Sequence, residues 1–262
     1  MIPSLILTAH QGSVAVVTLN NPAKLNALST PMLQALATEL DGIAADPQVR
    51  VVVIRAAGKA FCAGHDLQEI QAARQAPDGG AAAFATLFNL CARVMRQIAA
   101  LPKPVIAEVQ GIATAAGCQL AATCDMVVAS DHARFGVNGV NIGLFCSTPI
   151  VALSRKIPQS AAFELAATGE FLSAARAQTL GLANRVTAAE ALSGETMELA
   201  QSLAQKLPAA LSIGKAAFAA QTGLPLDQAY AAAGSAMVDN LLNTSTSEGI
   251  SAFLEKRPPN WA

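Results

Sequence analysis

The chain is short of charge. Acidic and basic residues together make up 13% of its 262 residues, against 53% hydrophobic residues, and the formal net charge is -1. With no dense Lys/Arg cluster, the electrostatic footprint of a nucleic-acid binder is missing. Long apolar runs are missing as well: no stretch of about 18 uninterrupted apolar residues occurs, which argues against a membrane span. The excess apolar surface is expected to go into subunit contacts. The cysteines at 62, 91, 118, 124 and 146 form an odd set without a C-x-x-C pair, so they read as reduced packing residues. The start, Met1-Ile2-Pro3-Ser4-Leu5, lacks a basic n-region, an apolar h-region and a small-residue cleavage site, so no secretory signal is indicated and a cytoplasmic location is expected. His10 and His132 stand without clustered ligands, and no metal is assigned. No G-x-S-x-G elbow and no G-x-G-x-x-G after a strand occurs, which disfavours a serine peptidase and a Rossmann oxidoreductase.

The length suits one large domain, or one domain with a helical appendage, and such a chain buries roughly 70–75% of its unfolded surface. Residues 4–19 read as a β-hairpin turning at Gln11-Gly12-Ser13. Ser29-Thr30-Pro31 starts a helix through about Ala44. The run from Val49 to Ala56 is β-branched and nearly continuous in hydrophobicity, as in a strand covered on both faces. A loop at 60–67 leads into a helix, with Asp66 and Glu69 spaced like a capping-box variant. A long helix is expected over 82–100, strands over 104–109 and 125–130, and an apolar helix over 115–124 between them. Strands alternating with helices argue for α/β layering. From Ser147 onward the pattern is helical almost to the end, with breaks at Pro158, Gly181, Pro208 and Gly223. That region is too apolar for a solvated tail, so it should pack on the core or on another subunit.

The chain turns on Gly111 to Leu120, a small-residue bend between a strand and a helix. Thr114 is expected to cap the helix, and the first N–H groups of a helix lack intrahelical partners and sit at the positive end of its dipole. Small side chains at Ala115, Ala116 and Gly117 leave room for an anion there; close packing of the helix against a neighbour explains the same residues equally well. The loop around Gly64-His65 offers a second set of backbone N–H groups at a helix start. Two convergent amides are what an oxyanion hole requires.

Three ordered segments carry a resemblance: Asn21 to Leu28 (NPAKLNAL), Phe61 to Asp66 (FCAGHD) and Gly111 to Asp125. Together they resemble the signature of the crotonase (enoyl-CoA hydratase/isomerase) superfamily, and Phe253 to Arg257 is similar to its C-terminal motif. The resemblance implies an α/β fold, a ClpP/crotonase-type spiral of ββα units with a helical C-terminal trimerisation region. We expect residues 1–195 to form the spiral core and 196–262 the helical oligomerisation region of a homotrimer or dimer of trimers. It also implies a fatty acyl-CoA ligand whose thioester carbonyl is held by the backbone amides of His65 and Ala116, with CoA part of the substrate and no separate cofactor. Substrate contacts are carried over to Lys24, Leu25, Ala63, Gly64, Asp66, Leu67, Asn138, Asn141 and Lys256.

The likeness stops at the acid–base groups. The family's Gly-Gly-Gly-Cys-Glu run is here Ala115-Ala116-Gly117-Cys118-Gln119, and its second glutamate position falls at Gly139. Hydration needs activated water and a proton donor, which neither an amide nor a glycine supplies. Residues 139–149 and 236–240 resemble a branch of the superfamily that shares this loss. The site residues therefore keep two readings each. The His65 imidazole titrates near neutral pH, or its backbone amide is its whole contribution. Gln119 orients a water or the thioester, or makes a structural hydrogen bond. Asn138 and Asn141 line the pocket or serve turns; Cys146 is a nucleophile without an evident base. Asp66 caps a helix or flanks the pantetheine channel, and Lys24 and Lys256 approach the CoA phosphates or stay solvated. The function expected is acyl-CoA binding by an enoyl-CoA hydratase/isomerase homologue, a lyase or isomerase of fatty acid metabolism; the alternatives are a non-catalytic acyl-CoA-binding or regulatory protein, or a crotonase enzyme of different reaction type.

Overall fold

In the computed structural model, residues 4–261 are described. The chain opens with β1 (Ile6–Gln11) and β2 (Val14–Leu19), followed by α1 (Thr30–Ala45), β3 (Val51–Ala56), β4 (Ala60–Cys62), α2 (Leu67–Ala73) and α3 (Ala81–Ala100). Then come β5 (Val105–Val109), β6 (Ile112–Thr114), α4 (Ala116–Thr123), β7 (Met126–Ser130) and β8 (Arg134–Gly136). The remainder holds α5 (Ser147–Leu153), α6 (Gln159–Thr168), β9 (Phe171–Ser173), α7 (Ala174–Leu180), β10 (Arg185–Thr187), α8 (Leu192–Ala204), α9 (Pro208–Gln221), α10 (Leu226–Leu242) and α11 (Thr244–Leu254).

Two sheets share these strands. One runs β1-β2-β3-β5-β7-β10, the other β4-β6-β8-β9. Successive strand pairs β3/β4, β5/β6 and β7/β8 each give one strand to each sheet, which is the ββα spiral. β1 and β2 form the expected antiparallel hairpin, and β2, β3, β5, β7 and β10 are parallel neighbours. Val52 and Ile54 face the main core, while Val51 and Val53 face a second cluster with Leu192, Ala200 and Ala204 of α8. That two-sided burial is the physical reason for the unbroken apolar run.

Several expectations shift. The 60–67 loop contains the strand β4, and two further short strands, β9 and β10, interrupt the region expected to be helical after Ser147. Each has only three residues, too few for periodicity to register. Thr114 ends β6 instead of capping α4; Ala115 occupies the cap position and offers no side-chain bond. Asp66 does cap α2, accepting from the backbone N–H of Gln68 and Glu69. Glu69 completes no capping box, because its carboxylate reaches across to the Thr30 N–H and hydroxyl. The division expected at 195/196 falls inside α8, and the change in burial comes after Leu207. From there to residue 261, Ala252 is the one residue classed as buried. Lys215 of α9 ties this outer region to the core through the Ile98 and Lys103 carbonyls and the Asp125 carboxylate, at 3.0, 3.1 and 2.7 Å.

Candidate active site

The small sheet decides where the chemistry can sit. β4, β6 and β8 are parallel neighbours, pairing Ala60 with Ile112 and Ala113 with Phe135. Their C-terminal ends therefore lie side by side, and the three turns that follow are brought to one edge, the usual place for a ligand in parallel sheets. Sequence alone could not show this convergence.

The first two turns touch. Gly64 has φ +91°, and a Cβ there would come within 2.8 Å of the Ala115 Cβ and 3.4 Å of the Ala116 nitrogen. Gly117 lies so close to β4 that a Cβ would overlap the Cys62 carbonyl. Ala115 holds φ 49° and ψ -121°, a conformation that costs a non-glycine residue on the order of 1–3 kcal/mol and tends to occur at functional sites. It is held by its own N–H, which donates to the Gly136 carbonyl at 2.9 Å. Neither the His65 nor the Ala116 backbone N–H donates to an acceptor among the described residues.

These turns form one wall of a cavity of about 640 Å³. Of the residues expected at the site, Ala63, His65, Leu67, Ala116, Asn138 and Asn141 line it. Lys24, Leu25, Gly64, Asp66, Gln119 and Lys256 do not. Gly64 is buried and shapes the turn from behind. Leu25, at φ 50°, accepts the Ala63 N–H through its carbonyl at 3.0 Å. Lys24 pairs with Asp66 at 2.7 Å. The Lys24 ammonium, followed by the Gln68 and Glu69 amides, holds the Asp66 carboxyl below the usual carboxylate range against its burial. Lys256 is exposed at the end of α11, with φ 56°. Gln119 sits one turn beyond Ala116 but is buried, as are seven of the eight residues of α4, so the helix has no free face. Its Oε1 has no hydrogen-bond partner among the described residues.

Sequence reasoning missed most of the apolar wall: Ile70, Phe88, Ile142, Leu144 and Phe145 all line the cavity. The signal was present in large apolar side chains that the fold leaves exposed, Ile142 at 59% and Phe145 at 48%. Polar groups on this wall are neutral. The Thr114 hydroxyl donates to the Asn138 Oδ1 at 2.6 Å, and the Asn141 Nδ2 reaches the Gly169 carbonyl at 3.4 Å. Burial raises the Cys146 thiol pKa, opposed by the Gly139 backbone, so the thiol is not activated as a nucleophile. Ser147 donates to the Phe145 carbonyl. Among the described residues no group of three or more His, Cys, Asp or Glu is placed to hold a metal.

Residues 9–262 match the sequence pattern of the family described as enoyl-CoA hydratase/isomerase. The chain belongs to that family. It is 44% identical over 259 residues to enoyl-CoA hydratase domain-containing protein 3, mitochondrial, of Danio rerio, covering 99% of this chain and 88% of the relative. Among solved structures, an enoyl-CoA hydratase of Mycobacterium smegmatis superposes with TM-score 0.94 at 50% identity, covering 99% of both chains. The human enoyl-CoA hydratase domain-containing protein 3 superposes with TM-score 0.93 at 41% identity, over 98% of this chain and all 100% of that one. These full-length superpositions show the crotonase fold. No described helix of this family member is long and apolar enough to cross a membrane. The fish relative is named mitochondrial, so the expected cytoplasmic location gains no support from it.

Proposed function

We propose that the cavity binds a fatty acyl-CoA thioester, with the thioester oxygen accepting hydrogen bonds from the His65 and Ala116 backbone N–H groups. The observation that carries this reading is the contact between the two turns: neither amide has an acceptor among the described residues, His65 and Ala116 both line the cavity, and Gly64 packs against Ala115 and Ala116. Donors fixed by the fold stabilise charge on an oxyanion without reorganising when it develops. Such a site favours reactions that pass through an enolate-like thioester, of the lyase or isomerase type.

The acyl group is apolar. The lining contains Ile70, Phe88, Leu144 and Phe145 and no Asp, Glu, Lys or Arg, so an ω-carboxylate would lose its hydration without gaining a counter-charge. Pantetheine runs past residues 24–25 and 63–67, and the ammonium of the exposed Lys256 serves the phosphates. No cofactor beyond the substrate's own CoA is needed for this chemistry. The exposed apolar residues of α10 and α11, including Leu242, Phe253 and Leu254 at 74–83% exposure, support assembly as a homotrimer or dimer of trimers, which sedimentation velocity tests. Cytoplasmic location stays within the proposal, against the name of the fish relative; cell fractionation decides it.

The lining also favours a second reading, non-catalytic acyl-CoA binding, because it holds no carboxylate to activate water. Calorimetry should give binding of butyryl-CoA and octanoyl-CoA in preference to free CoA and adipyl-CoA. Crotonyl-CoA should be hydrated far more slowly than by a glutamate-bearing relative. Failure of acyl-CoA to bind sinks both readings; turnover of any acyl-CoA, lost on substitution at the oxyanion turns, rejects the second.

A further inference from the structure

The His65 side chain lies beside an amide proposed to hold the oxyanion, which makes its imidazole the obvious stand-in for the missing glutamates. Its hydrogen bonds point elsewhere. Nδ1 lies 3.0 Å from the Leu28 carbonyl oxygen, and since a carbonyl only accepts, Nδ1 carries the proton and donates it. In the neutral ring Nε2 is then a bare lone pair. That nitrogen is fully buried and has no partner among the described residues. The Phe88 ring packs against the imidazole nearly perpendicular to it, with centroids 5.4 Å apart. An acceptor sealed from water in this way is poorly placed to take a proton from a ligand in the cavity.

Leu28 bonds the same turn twice. Its N–H donates to the Gly64 carbonyl at 2.7 Å, and its carbonyl receives the imidazole. The Gly64 carbonyl and the His65 N–H belong to one peptide unit, which is planar and trans. Fixing the carbonyl toward Leu28 therefore aims the N–H the opposite way. One hydrogen bond alone leaves that plane free to swing about its axis; the imidazole supplies the second point. Leu28 is itself a firm anchor, fully buried and two residues from Asn26. The Asn26 amide donates to the Ala57 and Ala60 carbonyls at 2.8 and 2.9 Å.

We propose that His65 is a positioning residue whose neutral imidazole, bonded through Nδ1 to Leu28, locks the His65 peptide with its N–H turned into the cavity, and takes no part in proton transfer. The proposal rests on the oxyanion reading for its function, but the lock itself is a property of the free protein. The titratable neighbours agree with a neutral ring. Glu69 of α2 is the carboxylate whose charge reaches it, and that group is already engaged by Thr30. Asp66 is neutralised by Lys24, Cys62 of β4 is a thiol held protonated by burial, with its pKa pushed up to about 12, and α3 contributes Phe88. Burial outweighs the Leu28 carbonyl and Glu69, and lowers the His65 pKa.

Asparagine and glutamine at this position separate the lock from acid–base work. An asparagine amide nitrogen replaces Nδ1 atom for atom, whereas the glutamine nitrogen falls where Nε2 stood. With carbonyl-13C crotonyl-CoA as the probe, His65→Asn should keep the wild-type downshift of the bound thioester C=O stretch and most of the affinity. His65→Gln should lose the downshift and about tenfold in affinity, the weight of one misdirected buried hydrogen bond. In 15N-histidine NMR of the wild-type protein, the resonance absent from His65→Asn should show the Nδ1–H tautomer and stay neutral at about pH 5.5, where an unperturbed imidazole is mostly protonated. An Nε2–H tautomer, an ordinary titration near pH 6.5, or equal behaviour of the Asn and Gln variants overturns the lock. Failure of wild-type protein to bind or polarise the probe overturns the oxyanion reading instead, and the NMR result still decides the lock.

Discussion

The two walls of the cavity are built on different terms. The wall at 64–65 and 115–117 is backbone, packed until no spare atom fits: Gly64 and Gly117 lie against the facing chain, and Ala115 is strained to complete the bend. The wall at 138–146 is made of side chains, several of them exposed, and it includes Gly139, where the resemblance to the family places a second glutamate. Under the proposed reading, polarising a carbonyl depends on the first wall. A side chain can be exchanged with less disturbance to the fold than a backbone corner, so under the proposed reading a site of this kind can lose acid–base groups and keep the corner that binds.

The harshest test of that contrast puts one methyl group into the backbone wall. Gly117→Ala should destabilise the protein by about 3 kcal/mol or more, because the new Cβ meets the Cys62 carbonyl and neither β4 nor α4 can withdraw. Gly194→Ala, on an exposed stretch of α8 with nothing within 4 Å of the new atom, should instead gain roughly 0.5–1 kcal/mol from helix propensity. Thermal unfolding of the two variants measures the difference. Equal effects would mean that the close approach at Gly117 is not what shapes the corner.

Placing carboxylates at the two positions where the resemblance expects them probes α4, behind the first wall, together with the second wall. Gln119→Glu changes a buried amide whose Oε1 is already unpartnered. Gly139→Glu must find room for a Cβ only 2.5 Å from the Leu144 carbonyl oxygen and 2.8 Å from the Cys146 Sγ. The double variant should therefore hydrate crotonyl-CoA no faster than the wild type and lose about 1–3 kcal/mol of stability from overpacking. Adding Cys146→Ala should return part of that stability, since it removes the sulfur but leaves the carbonyl in place. A double variant that reaches the rate of a glutamate-bearing relative would show that this wall yields more readily than its packing implies.

Much of the first wall was readable before folding. The hairpin, the two-sided strand β3 and both strand-to-helix turns follow from periodicity and small-residue runs, and the order of the motifs named the family. What was hidden depended on pairing between distant residues. Placing His65 beside Ala116 requires the register of β4 on β6, which three-residue strands do not announce. Gln119 follows Ala116 by one helical turn, yet a helix buried all round has no single face to assign. The Leu28 anchor left no trace either, because it acts through its main chain, and any residue type offers the same carbonyl. The apolar wall could have been suspected from Ile142, Leu144 and Phe145, whose exposure does nothing for the core.

The mildest probe lies beside the first wall, at the residue after His65. Lys24 resembles a phosphate ligand in the family pattern, but its ammonium is bound 2.7 Å from the Asp66 carboxylate, with half of the side chain in solvent. Lys24→Met removes the leading cause of the depressed Asp66 pKa, while the Gln68 and Glu69 amides keep the cap on α2. The expected loss at neutral pH is below about 1 kcal/mol, as for other half-exposed pairs. Because Asp66 is lowered from 3.8 in the folded protein, the pair's contribution is present above that pH and disappears as pH falls through the folded value. Wild type and Lys24→Met should therefore converge in stability in acid. Asp66→Ala should cost more than Lys24→Met, near 1 kcal/mol, since it also deletes the cap. Affinity for octanoyl-CoA and for octanoyl-pantetheine should fall by the same small factor in Lys24→Met. A loss confined to octanoyl-CoA would move Lys24 from bracing the oxyanion turn to holding the phosphates.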